Sequence, residues 1–217
     1  MKRAFLLFAI IPLISFSTCQ NRGETPSKTD HYYISGTKEE QDKLENYFSL
    51  LENATGNNET QFVLVREIAN TLIKQKEYGK LINFLSARTH KYPEDPYNPY
   101  YLFMIAFAYQ QMEAYPMAAL YFDMIVKNYP DLTVQGKSIH LACLTQLITI
   151  VDNPQQKEWY YLELIDRYLD QIEPGPSYFM LAQAHEGMGE WNSAIKAYGQ
   201  YLSYLGSNVP GFPDADN

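Results

Sequence analysis

Apolar residues recur along this chain at helical spacing, in paired stripes. Leu102, Ile105, Ala106 and Tyr109 make one stripe; Tyr115, Ala118 and Phe122 make the next, and Pro130 closes the unit. Tyr178, Leu181, Ala182, His185, Trp191, Ala194 and Tyr198 repeat the same internal intervals. Apolar positions three and four apart share one face of an α-helix, so each set reads as two helices joined by a tight turn. A hairpin of this kind cannot bury both of its faces alone. Its repetition therefore predicts an array in which neighbouring units share interfaces.

Four hairpins can be placed. The first covers residues 60–93, with Val65, Ile68, Ala69 and Leu72 on one helix and Tyr78, Leu81 and Leu85 on the other. The second covers residues 99–130. The third is divergent: Leu144, Leu147, Ile148 and Val151 fill its first stripe, Tyr161, Ile165 and Tyr168 its second, and Pro174 is expected to end it. Residues 133–140 are expected to lengthen its first helix by about two turns. The fourth begins near Gly175. Small residues (Ala69, Ala106, Ala182, Ala118, Ala194) let partner helices approach, and Tyr78, Tyr115 and Trp191, just after the turns, are expected to wedge against the next unit. Pro93 and Pro130 lack the N–H that a continuing helix needs.

A further helix is predicted ahead of the array, over residues 38–53. Thr37 is a good N-cap and Glu40 completes a capping box; Leu44, Tyr47, Phe48 and Leu51 share a face. The expected organisation is a signal peptide over 1–18, a tether over 19–36, a capping helix over 37–58, about four hairpins over 59–206 and an irregular tail over 207–217. The fold class is all-α, an α-α superhelix of stacked hairpins.

The first residues carry their own pattern. Lys2 and Arg3 precede an apolar run over 4–16, broken by Pro12 and followed by Ser17, Thr18 and Cys19. The run is too short for a membrane span and reads as a secretory signal. Its end resembles a bacterial lipobox, although Phe16 and Thr18 depart from the usual residues. That resemblance implies cleavage before Cys19 and acylation of its thiol, with palmitate among the chains such a site takes. Ordinary signal-peptidase cleavage is the alternative. Each buried acyl CH₂ would supply about 0.8 kcal/mol, enough to hold a protein on a membrane without spanning it. The polar segment over 20–36 has no hydrophobic period and suits a tether.

Removing the first 18 of 217 residues leaves 199, and losing Lys2 and Arg3 takes the formal net charge from −8 to −10. Such an acidic chain is a poor match for nucleic acid, which needs clustered Lys and Arg. With Cys19 assigned to the lipid, Cys143 remains. It sits on the apolar stripe of the third hairpin and reads as a core residue, so no disulfide framework follows.

The hairpin residues resemble tetratricopeptide repeats, whose period is about 34 residues. The second hairpin matches through Leu102, Ile105, Ala106, Tyr109, Ala118, Phe122 and Pro130. The fourth matches through Tyr178, Leu181, Ala182, Ala194 and Tyr198, with Gly189 and Trp191 at its turn. In the first, Leu81 replaces a small residue, and the third follows by spacing. The endings Tyr92-Pro93-Glu94-Asp95 and Tyr129-Pro130-Asp131 are similar to those of envelope lipoproteins that carry these repeats. The resemblance implies a concave groove lined by the first helix of each hairpin. Its candidate lining is Arg66, Asn70 and Lys74; Tyr100, Phe103, Phe107 and Gln110; Thr145 and Thr149; and Phe179 and Gln183. Arg66 and Asn70 partly resemble residues with which some repeat proteins clamp a peptide carboxylate, whereas Phe103 and Phe107 depart from that pattern. An aromatic patch with a basic edge suits an extended or helical peptide with an acidic end. The alternative is that Tyr100, Phe103 and Phe107 pack on the capping helix or on a long third-hairpin helix.

Little else points to chemistry. His31, His90, His140 and His185 show no trusted metal spacing; His140 and Cys143, three apart, read as a surface histidine beside a core thiol. Residues 186–190 form a glycine-containing turn between helices, since no strand precedes them and no Lys-Ser/Thr follows. No Ser-His-Asp motif is visible. The expected function is a non-catalytic scaffold, without cofactor or metal. It would bind other proteins or peptides on the periplasmic side of a bacterial envelope membrane. The alternative is a small-molecule or substrate-binding accessory of a transporter.

Overall fold

The computed structural model describes residues 37–54 and 56–208, which all lie within the unit Ser35–Asn217. The expected signal peptide, Cys19, the tether and residues 209–217 lie outside the described residues. Nine helices and one short β-hairpin are present among those described: α1 (Lys38–Asn53), α2 (Asn58–Lys74), α3 (Tyr78–Lys91), α4 (Asn98–Gln111), α5 (Tyr115–Asn128), β1 (Thr133–Val134), β2 (Lys137–Ser138), α6 (Ile139–Ile150), α7 (Pro154–Tyr168), α8 (Pro174–Gly187) and α9 (Trp191–Asn208). Each helix packs on the next in chain order, and α4 also meets α6. The architecture is thus all-α, an array of the hairpins α2–α3, α4–α5, α6–α7 and α8–α9. Helix α1 packs on α2 and sets Phe48 edge-on against Phe84 of α3, ring centroids 5.3 Å apart.

Local chemistry explains the helix starts. The Thr37 hydroxyl accepts from Glu40 N–H and the Glu40 carboxylate accepts from Thr37 N–H, the reciprocal capping box that satisfies two otherwise orphaned donors. Asn57, Ser138 and Asn153 cap α2, α6 and α7 in the simpler way. Three hairpins share one turn. A residue in the left-handed region (Lys76, φ 58°; Glu113, φ 59°; Gly189, φ 73°) lets the next N–H reach a carbonyl five residues back, Glu77 to Leu72, Ala114 to Tyr109 and Glu190 to His185, each at 2.9 Å. The third hairpin lacks this turn: Val151 is extended and Pro154 opens α7.

The core follows the predicted stripes. Val65, Ile68, Ala69, Leu72, Leu81, Leu85, Leu102, Ile105, Ala106, Ala118, Phe122, Cys143, Leu144, Leu147, Tyr161, Leu181, Ala182 and Ala194 are all buried. Large side chains of this kind contribute about 1.5–3 kcal/mol each when fully removed from water.

Five expectations are overturned. Residues 133–140 do not lengthen α6. Only Ile139 and His140 join that helix, as its first two residues, and 133–138 form β1 and β2, paired antiparallel with Thr133 opposite Ser138 and Val134 opposite Lys137. Gln135 (φ 52°) and Gly136 (φ 74°) make the two-residue loop, whose two positive φ angles match the right-handed twist of the strands. Pro174 does not end the third hairpin: α7 has already stopped at Tyr168, and Pro174 opens α8, where a missing N–H costs nothing. Tyr115 and Trp191 are not wedges. At the first position of their helices they point outward, 45% and 63% exposed. His140 is buried rather than on the surface. Finally, α9 continues through Gly206 to Asn208, past the expected start of the irregular tail.

Successive hairpins are tied together by a carboxylate that follows each helix-stopping proline. After Pro93, Asp95 accepts from Arg88 Nη2 at 2.8 Å and from Tyr97 N–H at 2.9 Å. The same Arg88 nitrogen also donates to Gln61 of α2 at 3.0 Å, and the guanidinium lies over the rings of Tyr92 and Tyr101 at 5.0 and 5.3 Å. The Arg88 and Asp95 side chains are only 7% and 4% exposed. Removing one member of such a buried pair typically costs about 3–5 kcal/mol, because the other charge is left uncompensated. After Pro130, Asp131 accepts from Ser138 Oγ at 2.6 Å, His140 N–H at 3.1 Å and Tyr168 Oη at 2.9 Å. Burial alone would raise its carboxyl, but those hydrogen bonds hold it below the ordinary 3.8.

The ring of His140 is buried beside this junction, facing the backbone of Tyr129 and Ile125. Burial, with help from Arg167, holds its imidazole below the ordinary 6.5, against the opposing pull of Asp131. The fold therefore prefers neutral His140, and the unfolded chain takes up this proton first. The contribution is complete above 6.5 and is lost as pH falls below it; that of Asp131 is lost only below 3.8. The melting temperature should fall between pH 7.5 and 5, with His140 adding at most about 1.4 kcal/mol per pH unit to the slope. His140→Gln should flatten that slope; an unchanged slope in the variant would contradict the assignment.

Candidate functional site

The first helices of the hairpins lie side by side, and their contacts define one face. Phe62 of α2 stacks on Tyr97 (centroids 4.0 Å apart, planes at 13°) and meets Tyr100 of α4 edge-on at 5.2 Å. Gln110 of α4 donates to Gln146 of α6 at 2.8 Å. Ile148 of α6 packs on a cluster containing Leu181 and Ala182 of α8. Helical stripes place these residues, and the Pro93 and Pro130 junctions set their register.

The basic edge of this face is Arg66. Its guanidinium lies 5.8 Å from the Phe62 ring centre and 3.5 Å from the Glu67 carboxylate. Burial raises the Tyr100 hydroxyl above its ordinary value; the Arg66 charge opposes that and Glu67 adds to it. Arg66, Phe62 and Tyr100 are thus one cluster, half-buried apart from the enclosed Phe62. Asn70 is half-buried and Lys74 exposed at successive four-residue steps along α2, which carries the basic edge to the end of the helix. A guanidinium over an aromatic face keeps its N–H groups available while its carbon stem covers apolar surface, an arrangement suited to a carboxylate beside an apolar group.

The remaining candidates divide. Phe103 leans on Phe122 of α5 (5.5 Å) and Phe179 on Tyr198 and Tyr201 of α9 (5.8 and 5.2 Å), so both rings are engaged within their own hairpins. Phe107 is half-buried, and Gln183 is exposed. The hydroxyls of Thr145 and Thr149 donate back to the carbonyls of Leu141 and Thr145, at 2.8 and 3.0 Å. The ring partners of Tyr100 and Phe103 belong to α2, α4 and α5, and α6, at 12 residues, is not a long third-hairpin helix. Phe62, Tyr97 and Gln146 were not among the candidates. Phe62 stands four residues before Arg66, and that interval on one helix was the available signal.

The tetratricopeptide repeat model matches residues 100–132 and 177–204. Two stretches of the chain thus match the tetratricopeptide repeat. The matched stretches are α4–α5 and α8–α9, the two hairpins whose stripes and turns repeat most closely; α2–α3 and α6–α7 lie outside the match. No curated protein is detectably similar in sequence. Among solved structures the crystal structure of MamA is similar, with a TM-score of 0.49 and 13% identity over 78% of this chain and 91% of that one.

Proposed function

We propose that this protein is a non-catalytic scaffold of the bacterial envelope. It is anchored through lipid on Cys19, faces the periplasm and binds a partner polypeptide across the face formed by α2 and α4. The observation that carries the reading is the Arg66–Phe62–Tyr100 cluster, a cation and aromatic rings at the seam between two repeats, with Lys74 extending the positive edge. Repeats of this kind bind along surfaces rather than in enclosed pockets. The cluster suits a peptide that offers an acidic group next to an apolar side chain. On an acidic chain, a local positive edge of this kind also gives orientation, since like charge elsewhere repels an acidic ligand.

The anchor rests on the positive segment, the apolar run and Cys19. Among the described residues, no helix is long and apolar enough to cross a membrane. We assign attachment to the acyl chains on Cys19 and reach to the polar segment over 20–36.

In crosslinked capture from native envelopes with the tether intact, Arg66→Ala combined with Lys74→Glu should reduce recovery of the partner by about tenfold or more, the scale of a charged anchor residue. Equal recovery by the variant removes the face from the account. Separately, a fatty-acid probe fed to cells should label the protein and should not label Cys19→Ala; persistent label in that variant rules out acylation at Cys19.

A further inference from the structure

Three side chains distant in sequence converge where the third and fourth hairpins meet. Glu158 comes from the first half of α7, His185 from the last turn of α8, and Glu190 from the turn into α9. His185 Nδ1 lies 2.9 Å from Glu190 Oε2 and 3.7 Å from Glu158 Oε1, and the three ligand atoms all fall within 4.8 Å of one another. His185 is 7% exposed, so its imidazole is held in place by packing. The turn is fixed as well: Gly189 is left-handed, Glu190 N–H closes onto the His185 carbonyl at 2.9 Å, and Ala194 N–H closes onto the Glu190 carbonyl at 3.0 Å.

A neutral imidazole can place one hydrogen on Nδ1. That hydrogen serves Glu190, and Glu158 stands outside hydrogen-bond range of it, close to a second carboxylate. Two carboxylates facing one nitrogen repel each other, and a divalent cation in place of the proton would neutralise both. The spacing suits such an ion. Tetrahedral zinc, with bonds of about 2.0–2.1 Å, separates its ligand atoms by about 3.3–3.4 Å. The His185–Glu190 and His185–Glu158 separations lie on either side of that value, the two carboxylates lie within 4.8 Å of each other, and small rotamer changes in the two glutamates would bring all three pairs to it.

We propose that Glu158, His185 and Glu190 form a zinc-binding site that clamps α7, α8 and the α8–α9 turn. Imidazole nitrogen favours zinc over magnesium or calcium, which take all-oxygen sets. Three protein ligands leave the fourth position to water. The ion crosslinks the one hairpin that lacks the shared left-handed turn (α6–α7) to its successor. No carboxylate of the Asp95 or Asp131 kind follows Pro174 to do so, since that proline opens α8. The ligands must be deprotonated, so binding weakens on acidification.

The test is titration of the metal-stripped full chain with zinc chloride, read by calorimetry and by thermal melting. Binding of one zinc per chain with a raised melting temperature is expected, and magnesium chloride or calcium chloride should produce neither. His185→Gln should weaken zinc binding by about 100-fold or more. Glu190→Gln, on an exposed side chain that leaves the fold intact, should also weaken it strongly. Should His185→Gln fail to fold, Glu158→Gln gives the second reading. Absence of a zinc-dependent shift in the native chain, or zinc binding unchanged in Glu190→Gln and Glu158→Gln, overturns the proposal.

Discussion

Each of the first two hairpins is fixed to its successor by a carboxylate just beyond the proline that ends it. Pro93 and Pro130 stop α3 and α5, and the turn that follows carries an acid into the seam. Asp95 there meets a buried arginine whose other contacts reach α2 and α4. Asp131 meets a serine at the start of α6, a backbone N–H and a tyrosine from the end of α7. Hydrogen bonds to a charged group are the stronger kind, and at the buried Arg88–Asp95 pair the exclusion of water strengthens them further. Apolar stripes drive neighbouring units together, but burial is not directional and leaves their register open. The carboxylates supply the direction.

That register is what creates the candidate binding face. Phe62 can stack on Tyr97 and meet Tyr100 only if α2 and α4 are held at one offset, and Gln110 reaches Gln146 only if α4 and α6 are. The basic edge at Arg66 is therefore a product of the seams as much as of α2. The fourth hairpin is joined differently. Its turn repeats that of the first two, yet beside the packing of Tyr161 on Leu181 and Ala182 its polar contact with α7 is the convergence of Glu158, His185 and Glu190, where no carboxylate follows a helix-stopping proline.

Much of the fold was legible from residue spacing, for physical reasons. Three-and-four periodicity names a buried face regardless of what covers it, which is why Val65, Ile105, Leu144 and Leu181 fall in the core. Thr37 with Glu40 is a local motif whose partners are three residues apart, so its geometry needs no tertiary information. The failures share a cause as well. A proline reads as a stop or as a first helical residue depending on where the previous helix has already ended, and Pro174 takes the second role. Residues 133–138 are too short for any period to show, and Gln135-Gly136 decides their shape through backbone φ alone. Trp191 and Tyr115 obey the repeat spacing but sit on first-turn positions that leave them exposed. For the site, Arg66 and Tyr100 could be placed on the right helices. Their convergence with Phe62 could not, because it depends on the offset between units. The sequence separation of 27 between Glu158 and His185 hid that pair in the same way.

The most direct test of the seam is a double-mutant cycle between Asp131 and Tyr168, read by chemical denaturation. If the carboxylate joins the second hairpin to the third, Asp131→Ala and Tyr168→Phe should be non-additive, with a coupling of about 1 kcal/mol or more, within the range of residues that share a hydrogen-bond network. Simple additivity of the two substitutions would contradict the account.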